Sequence, residues 1–194
     1  MFIQARGIDA RLQRNWDKRD QRASVRTPDA LKGAQQQGRC LCGVTNWFRV
    51  AAESSGFSAL MPMQPTTSVV TNDTAAGPIV ISIFTSEISP TVAFSILHNS
   101  YPTNIPMTDT EQCFAGAKQA LGADGHLISE HVVSLSGYPG REWSFEKYRG
   151  QAVVTMRGYL VGHDFYQAIT VMHRGQVCQQ HIAEFLDSCQ FKTD

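Results

Sequence analysis

The chain has 194 residues, with 17 basic side chains, 17 acidic ones and 42% apolar residues. That length is one domain of about 150 residues with a piece left over, and a charged fraction of only 18% excludes a disordered polyelectrolyte. No apolar run approaches the ~18–20 residues that a membrane-spanning helix needs.

The left-over piece is at the amino end. Residues 1–40 hold nine Lys/Arg, Arg14 and Arg19 among them, against four Asp, whereas the rest holds eight against thirteen acids. Neutrality is therefore the sum of a basic arm and an acidic body. Residues 1–43 read as a flexible extension, with a Gln35-Gln36-Gln37-Gly38 tract and a thin Ile8, Leu12, Trp16 stripe for any helix over 8–22. Basic arms attract phosphate backbones, but the acidic body opposes a general nucleic-acid role. No apolar stretch of a secretory signal follows the first charges, and Cys40 lacks the preceding small-residue run of a lipid anchor. Five cysteines are too few, and odd in number, for a stapled secreted scaffold. The expectation is a reducing, cytoplasmic setting.

From Val44 the texture changes to short β-type runs. Strands are predicted over 45–50 and 57–61 around Ser54-Ser55-Gly56, then over 68–71, 79–85 and 91–98. Pro90, Pro102 and Pro106 bracket a loop that leads to a helix. Its start signal is Thr108-Asp109-Thr110-Glu111, a capping box with Thr108 as the cap, and Phe114, Ala117 and Leu121 give one buried face up to Gly122. Four strands follow, over 126–135, 141–148, 152–161 and 165–173, separated by Gly137-Tyr138-Pro139-Gly140, Arg149-Gly150 and Gly162-His163-Asp164. A last helix over 176–188 carries Cys178, Ile182, Phe185, Leu186 and Cys189 on one stripe, before a closing strand over 190–192. Tight consecutive turns imply antiparallel pairing. The fold class is α+β: a twisted antiparallel sheet of seven to nine strands covered by two main helices.

The order of several segments carries a resemblance. "SGFSALMP", a helix before "LISEHVVSLSGYPGREWSF", then "VVTMRGYLVGHDFYQAITV" and a terminal "AEFLDSCQF" together resemble the PsbP-like fold family over about residues 47–192. That family includes extrinsic subunits of photosystem II, Ran-binding nuclear-transport relatives, bacterial lipoproteins and small cyanobacterial proteins. The resemblance implies a binding or assembly role without catalysis, on a larger protein complex such as a photosynthetic one. It transfers no binding residue to this chain.

Each chemistry-bearing residue also has a plain structural role open to it. No dinucleotide, phosphate-loop, zinc-protease or nucleophile-elbow motif is present. Cys40-x-Cys42 with Cys178-x-x-His181 would supply four zinc ligands if the arm folded back, although Cys178 on an apolar stripe reads first as core. Cys113 and Cys189 read the same way. His163-Asp164 reads as turn chemistry. Glu142 and Glu146 are about 13 Å apart along a strand and read as a solvated face. Trp47, Phe48, Tyr101, Tyr138, Tyr148 and Tyr159 fall near strand ends, where aromatics anchor partners or cap the core. The expected partner-binding residues are Tyr101, Pro102 and Ile105 in the Pro-rich loop, Tyr138 and Arg141 at the Gly-Pro turn, and Arg14 and Arg19 in the arm. No catalytic residue, cofactor or metal is expected. The rivals are a small-molecule or metal-binding protein with a pocket between sheet and helix, and a hydrolase with scattered catalytic residues.

Overall fold

The computed structural model describes residues 44, 46–52, 56–75, 77–105, 107 and 109–191. Arg14, Arg19, Cys40, Cys42 and the helix suggested over 8–22 therefore lie outside the described residues, as do Pro106 and Thr108.

Two short strands, β1 (Phe48–Ala52) and β2 (Phe57–Met61), pair antiparallel. Three longer ones follow: β3 (Thr66–Thr74), β4 (Gly77–Ser89) and β5 (Val92–Ser100). Helix α1 (Thr110–Gly122) then leads into β6 (His126–Leu135), β7 (Tyr138–Lys147), β8 (Ala152–Val161) and β9 (Asp164–His173). A 3₁₀ turn at Arg174–Gln176, helix α2 (Gln179–Asp187) and the two-residue β10 (Gln190–Phe191) close the described chain. The large sheet has the order β3-β4-β5-β9-β8-β7-β6, and a small one has the order β1-β2-β10. Every pairing is antiparallel. This is the expected α+β architecture, with the sheet at seven strands and a separate three-stranded sheet added.

Because side chains alternate across a strand, the large sheet builds two cores. On one face Leu97, Trp143, Met156 and Phe165 pack with Cys113, Phe114 and Ala117 of α1. On the other Phe94, Ile96, Tyr166 and Met172 pack with α2 and with Phe57 and Met61 of the small sheet. The helices thus divide one to each face. Residues 92–97 of β5 are all buried, since both faces of that central strand are covered.

Local structure departs from expectation at three places. Asp109 caps α1, its Oδ1 accepting from the Gln112 amide at 2.9 Å, and an anion there also suits the helix dipole. Glu111, expected to reach back to the cap, ion-pairs with Arg141 on β7 instead. The turn between β6 and β7 is Ser136-Gly137, both at positive φ (53° and 81°), as a two-residue hairpin requires. Tyr138, Pro139 and Gly140, expected in the turn, already belong to β7. Finally, Cys178 precedes α2 in extended conformation as its cap, with Sγ accepting from the His181 amide at 3.4 Å, so the helix begins three residues later than expected.

Candidate functional site

The residues singled out from the sequence do not converge on one place. Tyr101 is 7% exposed and belongs to the α1-side core, where Ile105 packs against it from the loop. Its amide donates to the His163 carbonyl at 2.9 Å, and burial pushes its hydroxyl pKa up to about 12. The loop is held by the Ile105 amide donating to the Pro102 carbonyl at 3.0 Å; Pro102 and Ile105 are half-buried. Tyr159 is likewise core rather than rim. Trp47 packs edge-on against Phe94 and His181, with ring centroids 5.9 Å away in each case.

Of the aromatic anchor candidates, Phe48 and Tyr138 stay exposed, at 46% and 39%, and Tyr138 also belongs to the expected partner-binding set. It closes an aromatic chain in which His98 stacks on Tyr166 (4.7 Å, 6°), Tyr166 stacks on Phe57 (5.2 Å), and Phe191 stands edge-on to Tyr166, Tyr159 and Tyr138. This chain joins the small sheet to the large one. Arg141 points to the opposite face, with its guanidinium 5.1 Å from the Phe114 ring centroid and paired with Glu111.

Several ionisable groups are tied into structure. Arg157 Nε and Nη2 reach Glu142 Oε2 at 2.7 and 2.6 Å, and Nη1 donates to Asp187 Oδ1 at 2.8 Å and the Leu186 carbonyl at 3.1 Å. Burial opposes the Arg157 charge, yet the bonds to Asp187 and Glu142 outweigh it and raise the pKa. Glu130 accepts from Lys118 Nζ at 2.5 Å and from the Trp143 indole at 2.8 Å, and these bonds, Lys118 first, hold its carboxyl below the usual range. Glu146 pairs with Arg174 at 2.8 Å. The two glutamates read as a solvated face are thus both paired.

Asp164, read from the sequence as serving its own turn, instead meets His98 Nε2 at 2.8 Å, and that bond lowers its pKa. Ser100 bonds the same carboxylate. In a nucleophile–imidazole–carboxylate relay the hydroxyl bonds the imidazole; here Ser100 bonds the acid. Burial raises the thiol pKa of Cys113 and takes that of Cys189 up to about 12, so neither is a thiolate at neutral pH. Among the described residues no three His, Cys, Asp or Glu side chains are grouped as a metal site needs. Two buried polar atoms, Asn99 Oδ1 and His163 Nδ1, have no hydrogen-bond partner among the described residues.

Apolar exposure concentrates on the sheet's outer strands. On β6, Leu127, Ile128 and Val132 are exposed, Val132 by 76%; at the other end of the sheet so are Val69 and Val70 of β3 and Val80 of the adjacent β4. Register places Leu127 opposite Phe145, Glu130 opposite Trp143 and Val132 opposite Arg141. Leu127 and Val132 therefore stand on the α1 face, flanking Glu130 and its Lys118 bond.

Among solved structures the chain is similar to cyanobacterial PsbP (CyanoP) from Synechocystis sp. PCC 6803, with a TM-score of 0.54 and 11% identity, covering 82% of this chain and 100% of that one. The chain has the PsbP-like fold. A Pseudomonas aeruginosa protein of unknown function is also similar, at a TM-score of 0.40 and 7% identity over 72% of this chain and 91% of that one. No family model and no curated protein matches the sequence.

Within the PsbP-like fold, the apolar edge of β6 was the surface that sequence reading missed. Its signal was present: "HLISEHVV" breaks strict alternation at Ile128, where the structure shifts register between Leu127 and Ser129. A strand with apolar residues on both faces is read as a central one, and only the sheet order reveals it as an edge. No helix among the described residues is long and apolar enough to cross a membrane.

Proposed function

We propose that this protein is a non-enzymatic docking module, held on a larger protein assembly through the β6 edge and the adjoining face of α1. The supporting observation is the row of exposed Leu127, Ile128 and Val132 on a strand whose outer backbone groups face no neighbouring strand among the described residues. Covering that apolar surface yields roughly 25 cal/mol per Å², so burial of these side chains, rather than addition of a strand, supplies the affinity. The non-enzymatic reading is supported by the raised thiol pKa values of Cys113 and Cys189 and by Ser100 bonding Asp164 rather than an imidazole. The PsbP-like fold favours a photosynthetic complex as the assembly.

Val132→Lys tests this reading. Val132 is far too exposed to support the core, so the variant keeps the wild-type melting temperature. Expressed in the source cells, wild type should co-migrate with a large complex on native gels, and the variant should lose that association at least about tenfold. Co-migration of the variant at wild-type level, or wild type running wholly as a free chain, overturns the proposal.

A further inference from the structure

Strand β3 borders the large sheet at the end opposite β6, and residues 66–71 along it are all exposed. Its backbone polarity can be read from β4. Pro78 stands opposite Asp73. Proline has no N–H, so this is not one of the pairs in which two residues exchange both hydrogen bonds. Asp73 and, by alternation, Thr71, Val69 and Thr67 therefore turn their N–H and C=O groups away from β4, along the open border. Thr66, Ser68, Val70 and Asn72 bond inward.

We infer that β3 is the interface of a symmetric dimer, in which β3 of a second copy of this chain pairs antiparallel with it about a two-fold axis at Val70. This surface is separate from the β6 docking face. A strand that pairs antiparallel with itself makes the same contacts from both sides, so the dimer is closed. Val70 is the middle residue of Thr66–Thr74, and this register matches all nine residues. It sets Val70 against Val70 of the second copy, Val69 against Thr71, Ser68 against Asn72, and Thr67 against Asp73. The outward-turned residues thus meet one another and exchange hydrogen bonds. The two Asp73 carboxylates, the only charges on the strand, each face a threonine and lie roughly 20 Å apart along the strands. Val70 is opposite the buried Ile81 within the chain, so the apolar row Ile81–Val70 continues across the axis into its own copy on the α1 side of the sheet. On the other side Val69, 63% exposed, becomes a diagonal neighbour of Val69 of the second copy. Self-matching in hydrogen bonds, charge and apolar side chains at one register is what selects a second copy as the occupant.

The test is sedimentation velocity of the full chain in the presence of reductant, from about 1 to 500 µM, a span suited to an interface at the small end of the stable range. Wild type should pass from 21.5 kDa to twice that mass as concentration rises. Val70→Lys, which sets two ammonium groups face to face on the axis, should weaken association at least about tenfold, whereas Val132→Lys on β6 should associate as wild type does. Val70→Cys, a change of similar size, fixes the register. A pair that does not exchange hydrogen bonds holds its Cα atoms about 4.5 Å apart, within disulfide range, so oxidised glutathione should yield covalent dimers well above the wild-type background. Ser68→Cys should not, because the two copies of that residue are roughly 14 Å apart. A wild-type chain that keeps the single-chain mass throughout overturns the inference. So does a dimer that survives Val70→Lys or is lost in Val132→Lys, and so do covalent dimers formed by Ser68→Cys but not by Val70→Cys.

Discussion

Gly140 has no room for a side chain. It pairs across the strands with Tyr159, and a Cβ there would lie 2.6 Å from Tyr159 Cδ1 and 2.8 Å from the Gly158 carbonyl oxygen. Gly140→Ala should therefore push ring and strand apart, lowering stability by about 1–3 kcal/mol as overpacking does; urea denaturation at fixed pH measures it. The sequence showed this glycine in a Gly-Tyr-Pro-Gly run and suggested a turn. Its actual reason is crowding by a residue nineteen positions on, which no local pattern reveals. Trp143 is the contrary case. Period-two alternation in Arg141–Glu146 sets Trp143 and Phe145 on one side of the strand and Glu142, Ser144 and Glu146 on the other, and the structure buries Trp143 completely. The acceptor for its indole, Glu130, sits on the neighbouring strand and was not legible.

At the level of elements, Arg157 fastens the end of α2 to the large sheet. Its guanidinium takes the Leu186 carbonyl and the Asp187 carboxylate at the helix C-terminus while holding Glu142 on β7. A cation there suits the negative end of the helix dipole. Arg157→Met leaves the mostly buried Glu142 without its cation and should lower stability on the order of 2–3 kcal/mol, after discounting for partial exposure. For a domain of this size that is a fall of about 4–10 °C in melting temperature, read by calorimetry. The apolar stripe of α2 was legible because Ile182, Phe185 and Leu186 recur at helical spacing, and all three are buried. Its start was not, because a cysteine is an unusual cap. The first helix had a similar limit: its acidic start was plain, but choosing between neighbouring Thr108 and Asp109 as the cap needed coordinates.

For the whole molecule, two carboxylates set the acid response. Hydrogen bonds from Lys118 and Trp143 to Glu130, and from His98 to Asp164, hold both pKa values below the ordinary range. A lowered carboxyl pKa contributes stability that is complete above the unfolded value and is lost as pH falls through the native one. The melting temperature should stay level from neutrality to about pH 5 and decline below it. The double variant Glu130→Gln, Asp164→Asn should flatten that decline, and added salt should shrink it, since both groups are partly exposed. Strand number, antiparallel pairing and two covering helices were all readable, because each rests on periodicity and turn residues close in sequence. The division of the helices between two faces was not, nor was the union of β2 with β10, whose partners lie more than a hundred residues apart.

The two borders of the seven-stranded sheet are unlike. β6 carries a register shift, two histidines and a glutamate, which discourage a further strand from adding there. β3 offers nine residues, Thr66–Thr74, with Asp73 as their sole charge and Val69 bare to water. Lacking lysine, proline or a kink, that margin leaves the chain open at high concentration to lateral growth, sheet upon sheet, once two copies meet along it.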